Sequence, residues 1–263
     1  MIAMASTVHT PAPLIELSGI TLTFPLYQGS SRSLKKNLLF HGSAGRIGRD
    51  SVQRITINAL RDISFSINKG DRIALIGANG AGKTTLLRVL AGIYEPTLGT
   101  VAINGRVSPM FDIGLGIDPE LSGYENIYVR GLVLGLSVKE IKQQLPQIAE
   151  YTELGDYLHM PMRVYSAGMT LRLTFATATC FQPEILLMDE WIVAGDASFI
   201  QRAQKRIDSF IRESSAFVLA THDLAICRRW CTKAIWMDAG TVKCFGDINE
   251  TIDRYQHDTK QNN

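Results

Sequence analysis

An apolar stretch, Asp71 to Ile76, runs directly into Gly77, Ala78, Asn79, Gly80, Ala81, Gly82, Lys83, Thr84 and Thr85, and a helical pattern, Lys83 to Ile93, begins before that run ends. Few folds accommodate this order. The glycines allow backbone conformations that side chains resist, so successive N–H groups can turn inward and approach an anion closely. The helix that follows points its positive end at the same place. The spacing is that of a phosphate-binding loop, G-x-x-x-x-G-K-[ST]. Lys83 can reach the β- and γ-phosphates of a nucleotide, and the Thr84 hydroxyl can ligate Mg²⁺. A chance lysine beside a glycine-rich turn would not need a strand before it and a helix after it. The loop alone does not separate kinases, GTPases, helicases and transport ATPases.

The rest of the chain alternates strand and helix patterns. Leu14 to Phe24 and Ile55 to Ile67 alternate as strands. Thr100 to Val107 is predicted as a hairpin turning at Asn104-Gly105. From Gly123 to Phe181 the pattern is helical, with Ser137 and Glu140 spaced as a capping box and Pro146 expected to kink or end the helix it lies in. Glu184 to Met188 and Ala216 to Ala220 are short buried strands, Thr232 to Val242 a last strand pair and Ile248 to Tyr255 a final helix. This is an α/β sheet carrying a helical insert. No apolar run is long enough to span a membrane and the N-terminus has no signal-peptide pattern, so the protein is expected on the cytosolic side. Net charge is only +2, which implies no nucleic-acid partner. Cys180, Cys227, Cys231 and Cys244 fit neither a disulfide framework nor a zinc site, and Cys227 and Cys231, on one helical face, are expected to be reduced packing residues.

A second set of residues complements the glycine loop. Ile185 to Met188 is an apolar strand ending in Asp189 and Glu190, at the strand end where open α/β sheets bind ligands. Asp189 is placed to hold Mg²⁺, and Glu190 to orient or deprotonate an attacking water. Between the two motifs lies Tyr165-Ser166-Ala167-Gly168-Met169; beyond them come Asp196 and Thr221-His222-Asp223.

In this order the motifs resemble those of the ABC transporter ATPases, over Leu14 to Tyr255. The resemblance implies a P-loop fold with a RecA-like core, an N-terminal antiparallel β-subdomain and a helical subdomain. In a single domain over 1–263, the β-subdomain and loop would occupy 14–107, the helical part 123–181, the rest of the core 182–247, and a C-terminal helix and tail 248–263. It implies ATP and Mg²⁺ as ligands and a head-to-tail homodimer with two nucleotides between its subunits. Ser166 and Gly168 would contact the γ-phosphate held by the other subunit, Asp196 would link the two sites at the interface, and His222 would hydrogen-bond the γ-phosphate. An aromatic after the first strand, Phe24 or Tyr27, would stack on adenine.

The departures from the common pattern narrow the branch. The signature is Tyr-Ser-Ala-Gly-Met, Asp112 takes the place of the usual Mg²⁺-sensing glutamine, and Trp191 replaces the proline after the catalytic glutamate. Together with Ile113-Gly114-Leu115-Gly116-Ile117-Asp118-Pro119-Glu120 and Ala194-Gly195-Asp196, these are similar to ATPase subunits exporting O-antigen, capsule or teichoic acid. The implied partners are a transmembrane permease subunit and, indirectly, a lipid-linked polysaccharide; the implied place is the cytoplasmic face of the inner membrane. The chain ends at Asn263 and is expected to lack the carbohydrate-binding β-sandwich that some members carry. Gln28 to Arg54, rich in Arg and Lys, reads as an insertion that would lie near the membrane or the permease. Two alternatives stand beside this: a soluble ABC ATPase, which would usually show tandem cassettes, and a P-loop kinase, which would not need Ser166-x-Gly168.

Overall fold

The computed structural model describes residues 12–25, 47–49, 55–111, 114, 116–190 and 197–261. The first strands are β1 (Ile15–Pro25), β2 (Ile47–Arg49), β3 (Ile55–Ile67), β4 (Arg72–Ile76), β5 (Leu98–Ile103) and β6 (Val107–Pro109). Later come β7 (Ile185–Asp189), β8 (Ala216–Ala220), β9 (Lys233–Asp238) and β10 (Thr241–Asp247). They make two sheets: an antiparallel one in the order β2-β3-β1-β5, and a core sheet in the order β10-β9-β4-β8-β7-β6. In the core sheet every pairing is parallel except β10 with β9.

Side chains alternate across the central strands, as strand geometry dictates. Ile73 and Leu75, Ile185 and Leu187, and Val218 face one side, where they pack with Leu60, Ile63 and the helix α1 (Lys83–Leu90). Ala74 and Ile76, Leu186 and Met188, and Phe217 and Leu219 face the other, with Phe199, Ile207 and Ile252. Both faces are fully covered, which explains why these strands read as continuous apolar runs. Burying each such side chain contributes about 1.5–3 kcal/mol, so the core, and not the glycine loop, fixes where β4 and β7 end.

Between β6 and β7 lie the helices α2 (Gly123–Val133), α3 (Val138–Thr152) and α4 (Ala167–Thr179), packed around Ile127, Ile148, Leu158, Met162 and Leu173. Both Ser137 with Glu140 and Ser122 with Glu125 form capping boxes, although only the first was singled out from the sequence. Buried Asn126 donates to the carbonyls of Asp118, Leu121 and Ser122 and accepts from the Asp118 N–H, tying the preceding loop to α2. The remaining helices are α5 (Ala197–Glu213), α6 (Leu224–Trp230) and α7 (Ile248–Gln261).

Two expectations need correction. Asn104-Gly105 does not close a hairpin: β5 pairs with β1 and β6 pairs in parallel with β7, so the chain crosses between sheets there. The crossing is held by the Asn104 N–H and side chain, which donate to the carbonyls of Leu14 and Pro13. Of the two outcomes expected at Pro146, a kink or an end, the helix does not end: α3 runs through it. Pro146 is exposed, so the carbonyl its ring leaves unpaired can be solvated. The final helix also runs on to Gln261, beyond Tyr255.

Cys227 and Cys231 are buried, and all four cysteines are free. Burial pushes the Cys227 thiol up to about 12 and raises those of Cys180 and Cys231 as well, which suits packing rather than reactivity.

Candidate nucleotide and catalytic site

Gly77, Gly80 and Gly82 all have positive φ, at 145°, 77° and 108°. At Gly77 the requirement is also steric: a Cβ there would lie 2.2 Å from the Met237 carbonyl oxygen at the end of β9. Neither backbone can yield easily, since both strands are buried. Gly77→Ala should therefore lower stability by about 1–3 kcal/mol and weaken nucleotide binding. Thermal melting and a nucleotide titration check this; a variant with unchanged melting temperature and affinity would show that the loop does not need the close approach.

Gly82 caps α1 without a side-chain acceptor, and the first turn holds no acidic residue. Its leading N–H groups are thus left for an external anion. Lys83 Nζ donates to the carbonyls of Gly77 and Ala78, at 2.7 and 3.0 Å, which stretches the ammonium across the mouth of the loop. Partial burial lowers the Lys83 pKa, while the nearby carboxylates of Asp189 and Glu190 oppose that shift.

The carboxylates arrive on β7. Asp189 is its last residue, and Glu190 follows in the left-handed region with φ of 53°. That conformation costs about 1–2 kcal/mol for a residue with a side chain. It is held by the Glu190 N–H donating to the Ala220 carbonyl at 2.7 Å, and by a 2.9 Å contact between Glu190 Oε1 and His222 Nδ1. His222 is in turn positioned by Asp223, whose carboxylate caps α6 by accepting from the N–H groups of Ala225 and Ile226. Glu190 and His222 are both substantially exposed, so the pair orients the carboxylate more than it stabilises the fold.

Asn79, Gly80, Gly82, Lys83, Thr84, Thr85, Phe111, Asp189 and Glu190 surround one hollow of about 410 Å³. Phe111 was not identified from the sequence; its only signal is its place just before Asp112. A larger cleft, about 780 Å³, lies between α3 and α5, lined by Gln143, Gln147, Tyr151 and Arg206 among others. Only the smaller hollow combines glycine amides, a lysine and two carboxylates, so chemistry rather than size identifies the site.

Thr84 and Asp189 both line that hollow, a hydroxyl and a carboxylate of the kind Mg²⁺ accepts when phosphates supply its other ligands. Among the described residues no cluster of three or more His, Cys, Asp or Glu could hold a metal alone, so any such cation would depend on the nucleotide. Asp112, proposed as a further ligand, lies outside the described residues, as do Tyr27, Asp196 and most of the basic insertion; only Ile47–Arg49 of that insertion is described, as the edge strand β2.

The structure does not bring every expected residue to the hollow. Phe24 lies at the end of β1, packed on the core and edge-on to Tyr94 at 5.3 Å, and does not line it. Ser166 and Gly168 do not line it either. Ser166 is the N-cap of α4, its hydroxyl accepting from the Met169 N–H, and Ser166, Ala167 and Gly168 are exposed. A Cβ on Gly168 would meet nothing closer than 3.9 Å. A glycine in a helix interior costs about 1 kcal/mol relative to alanine, and among the described residues nothing requires one at 168.

Comparison with known proteins adds the following. The family described as ABC transporter matches residues 60–193. The O-antigen export system ATP-binding protein RfbE of Yersinia enterocolitica is 46% identical over 223 residues, covering 85% of this chain and 93% of that protein. An O-antigen export system ATP-binding protein RfbB of Klebsiella pneumoniae is 36% identical, covering 93% of this chain and 98% of its own length. The teichoic acids export ATP-binding protein TagH of Shouchella clausii is 34% identical over 93% of this chain, but the match spans 65% of that protein. Among solved structures, an ATP-binding subunit of an ABC transporter superimposes with a TM-score of 0.65 at 22% identity, covering 92% of this chain and 93% of its own. A dimeric ATP-binding cassette in a post-hydrolysis state bound to ADP and Pi gives 0.62 at 20% identity, covering 89% of this chain and 98% of that one. At these identities the structures speak for the fold alone.

Proposed function

The chain belongs to the ABC transporter family of ATPases, and on that premise we propose that it powers the export of a lipid-linked polysaccharide of the O-antigen type through a separate membrane permease. The observation that carries the ATPase half of this reading is the hollow where Lys83, Thr84, Asp189 and Glu190 meet. The export half is supported by a relative named for O-antigen export at 46% identity, against 34% for the teichoic acid exporter.

In this mechanism the amides of the glycine loop and Lys83 bind the phosphates, and Thr84 and Asp189 would hold Mg²⁺, which would neutralise charge on the transferred phosphoryl group. Glu190 accepts a proton from the attacking water, and His222 fixes the orientation of that carboxylate. Phosphoryl transfer of this kind is positioning plus electrostatics. Ser166 and the free first turn of α4 act on the nucleotide of a second copy. Their exposure, their distance from their own hollow and the unexplained glycine at 168 support a head-to-tail homodimer.

The permease would dock on an apolar surface of the helical lobe. Leu121, Tyr124, Tyr128 and Val129, with Glu125, line a shallow hollow there, and Tyr124 meets His159 at a tilt, 4.9 Å between ring centres, beside exposed Tyr157, Met160 and Val164. No helix among the described residues is long and apolar enough to cross a membrane. The tagged chain, extracted from its native membrane, should co-purify with a membrane protein, and its ATPase should accelerate on adding lipid-linked polysaccharide. Isolation without any membrane partner, or indifference to the glycan, would remove the export assignment and leave the ATPase standing.

A further inference from the structure

Glu153 stands at the C-cap of α3 in the left-handed region, φ 55° and ψ 27°. Helix ends favour glycine in that conformation, so a glutamate there accepts backbone strain, which points to a use for its side chain. The carboxylate reaches across two other helices. One oxygen accepts from Arg172 of α4 at 3.2 Å and from Arg202 of α5 at 2.8 Å, and the other accepts from a second nitrogen of Arg202 in a short contact. Both nitrogens at the end of the Arg202 guanidinium are thereby engaged in a two-point fork.

The rings beneath repeat the connection. Tyr151 of α3 stacks on Phe175 of α4 at 6.2 Å, and Phe175 meets Phe199 of α5 edge-on at 5.7 Å. The Arg172 guanidinium lies over the Phe199 ring, and that of Arg206 over the Tyr151 ring. Arg206 Nε also donates to the Thr179 carbonyl at the end of α4. Each of these contacts joins two of the same three helices. The charged groups are part-exposed, half so for Glu153, and exposed pairs add little to stability. A planar, forked contact instead fixes direction.

The direction matters because of what each helix carries. α4 begins at the Ser166 cap, and α5 is the first helix after Asp189 and Glu190. We infer that Glu153 is a positioning residue for hydrolysis, clasping α4 to α5 so that the Ser166 end of one subunit is aimed at the nucleotide of the other. The inference rests on Ser166 acting across the dimer, as proposed above.

The test uses the full chain with three variants: Glu153→Ala, Ser166→Ala, and the exchanged pair Glu153→Arg with Arg202→Glu, which rebuilds the α3–α5 ion pair in reverse. ATP affinity of the single subunit, kcat, and ATP-dependent dimer formation in a Glu190→Gln background are measured. Glu153→Ala should leave single-subunit ATP affinity within about twofold while kcat and dimer affinity each fall about tenfold, the size expected when a remote change misplaces a reacting group. The exchanged pair rebuilds the α3–α5 contact but not the one to Arg172 of α4, so it should recover both in part. Wild-type turnover in Glu153→Ala beside a dead Ser166→Ala would overturn the clasp while sparing the dimer reading. Wild-type turnover in Ser166→Ala would remove the dimer reading and the clasp with it. A loss in Glu153→Ala matched by weakened single-subunit ATP binding and not recovered by the exchange would mark a merely structural role and also overturn it.

Discussion

Glu190→Gln should bind ATP and form a long-lived dimer while hydrolysis falls by about 10²–10⁴-fold, the usual contribution of a positioned general base. The substitution keeps the shape of the side chain and an oxygen that can face His222 Nδ1, now 2.9 Å from Glu190 Oε1. It removes only the basicity needed to take a proton from water. The left-handed backbone at this residue keeps its bond to the Ala220 carbonyl whatever the side-chain charge, so the fold and the hollow should survive. Size-exclusion chromatography with and without ATP, alongside phosphate release, reads both halves of the expectation. A fully active variant would remove Glu190 from the role of base.

Lys83→Ala should give the opposite phenotype: no dimer at moderate ATP, because nucleotide is lost first. A charge-assisted hydrogen bond to phosphate is worth about 1.5–3 kcal/mol, or roughly 10–100-fold in Kd. The fold should persist, since Lys83 donates to one exposed carbonyl, that of Ala78, and one part-buried carbonyl, that of Gly77, and neither bond joins the strands or helices of the core. Nucleotide titration should show the weakened affinity with an unchanged far-ultraviolet spectrum. If affinity were unchanged, the ammonium would not be a phosphate ligand. The two variants together separate binding from hydrolysis, because one holds ATP without spending it and the other fails to hold it.

Features encoded in a short stretch of sequence were legible. The strand, glycine turn and helix around Lys83, the apolar run into Asp189 and Glu190, and the Ser137 box each depend on neighbours within a few residues. Features that depend on remote partners were not. Asn104-Gly105 has the composition of a hairpin turn, but β1 and β7 compete for the two strands it joins and win both. The need for glycine at 77 comes from Met237, at the end of β9. Glu153 sits in an unremarkable polar stretch, and its importance emerges only where α3, α4 and α5 converge. Phe111 reaches the hollow because β6 lies beside β7, a pairing that the sequence does not announce.

The empty surroundings of Gly168 have a wider consequence. If the first turn of α4 completes the nucleotide site of a second copy, as proposed, that site is a coincidence detector: it fires only when two loaded subunits meet. Below the concentration at which they pair, occupancy by ATP is high and consumption is nearly nil, by mass action alone. On that proposal, subunits apart from a permease would consume little ATP, and a scaffold that held two of them side by side would switch on hydrolysis without touching either active site.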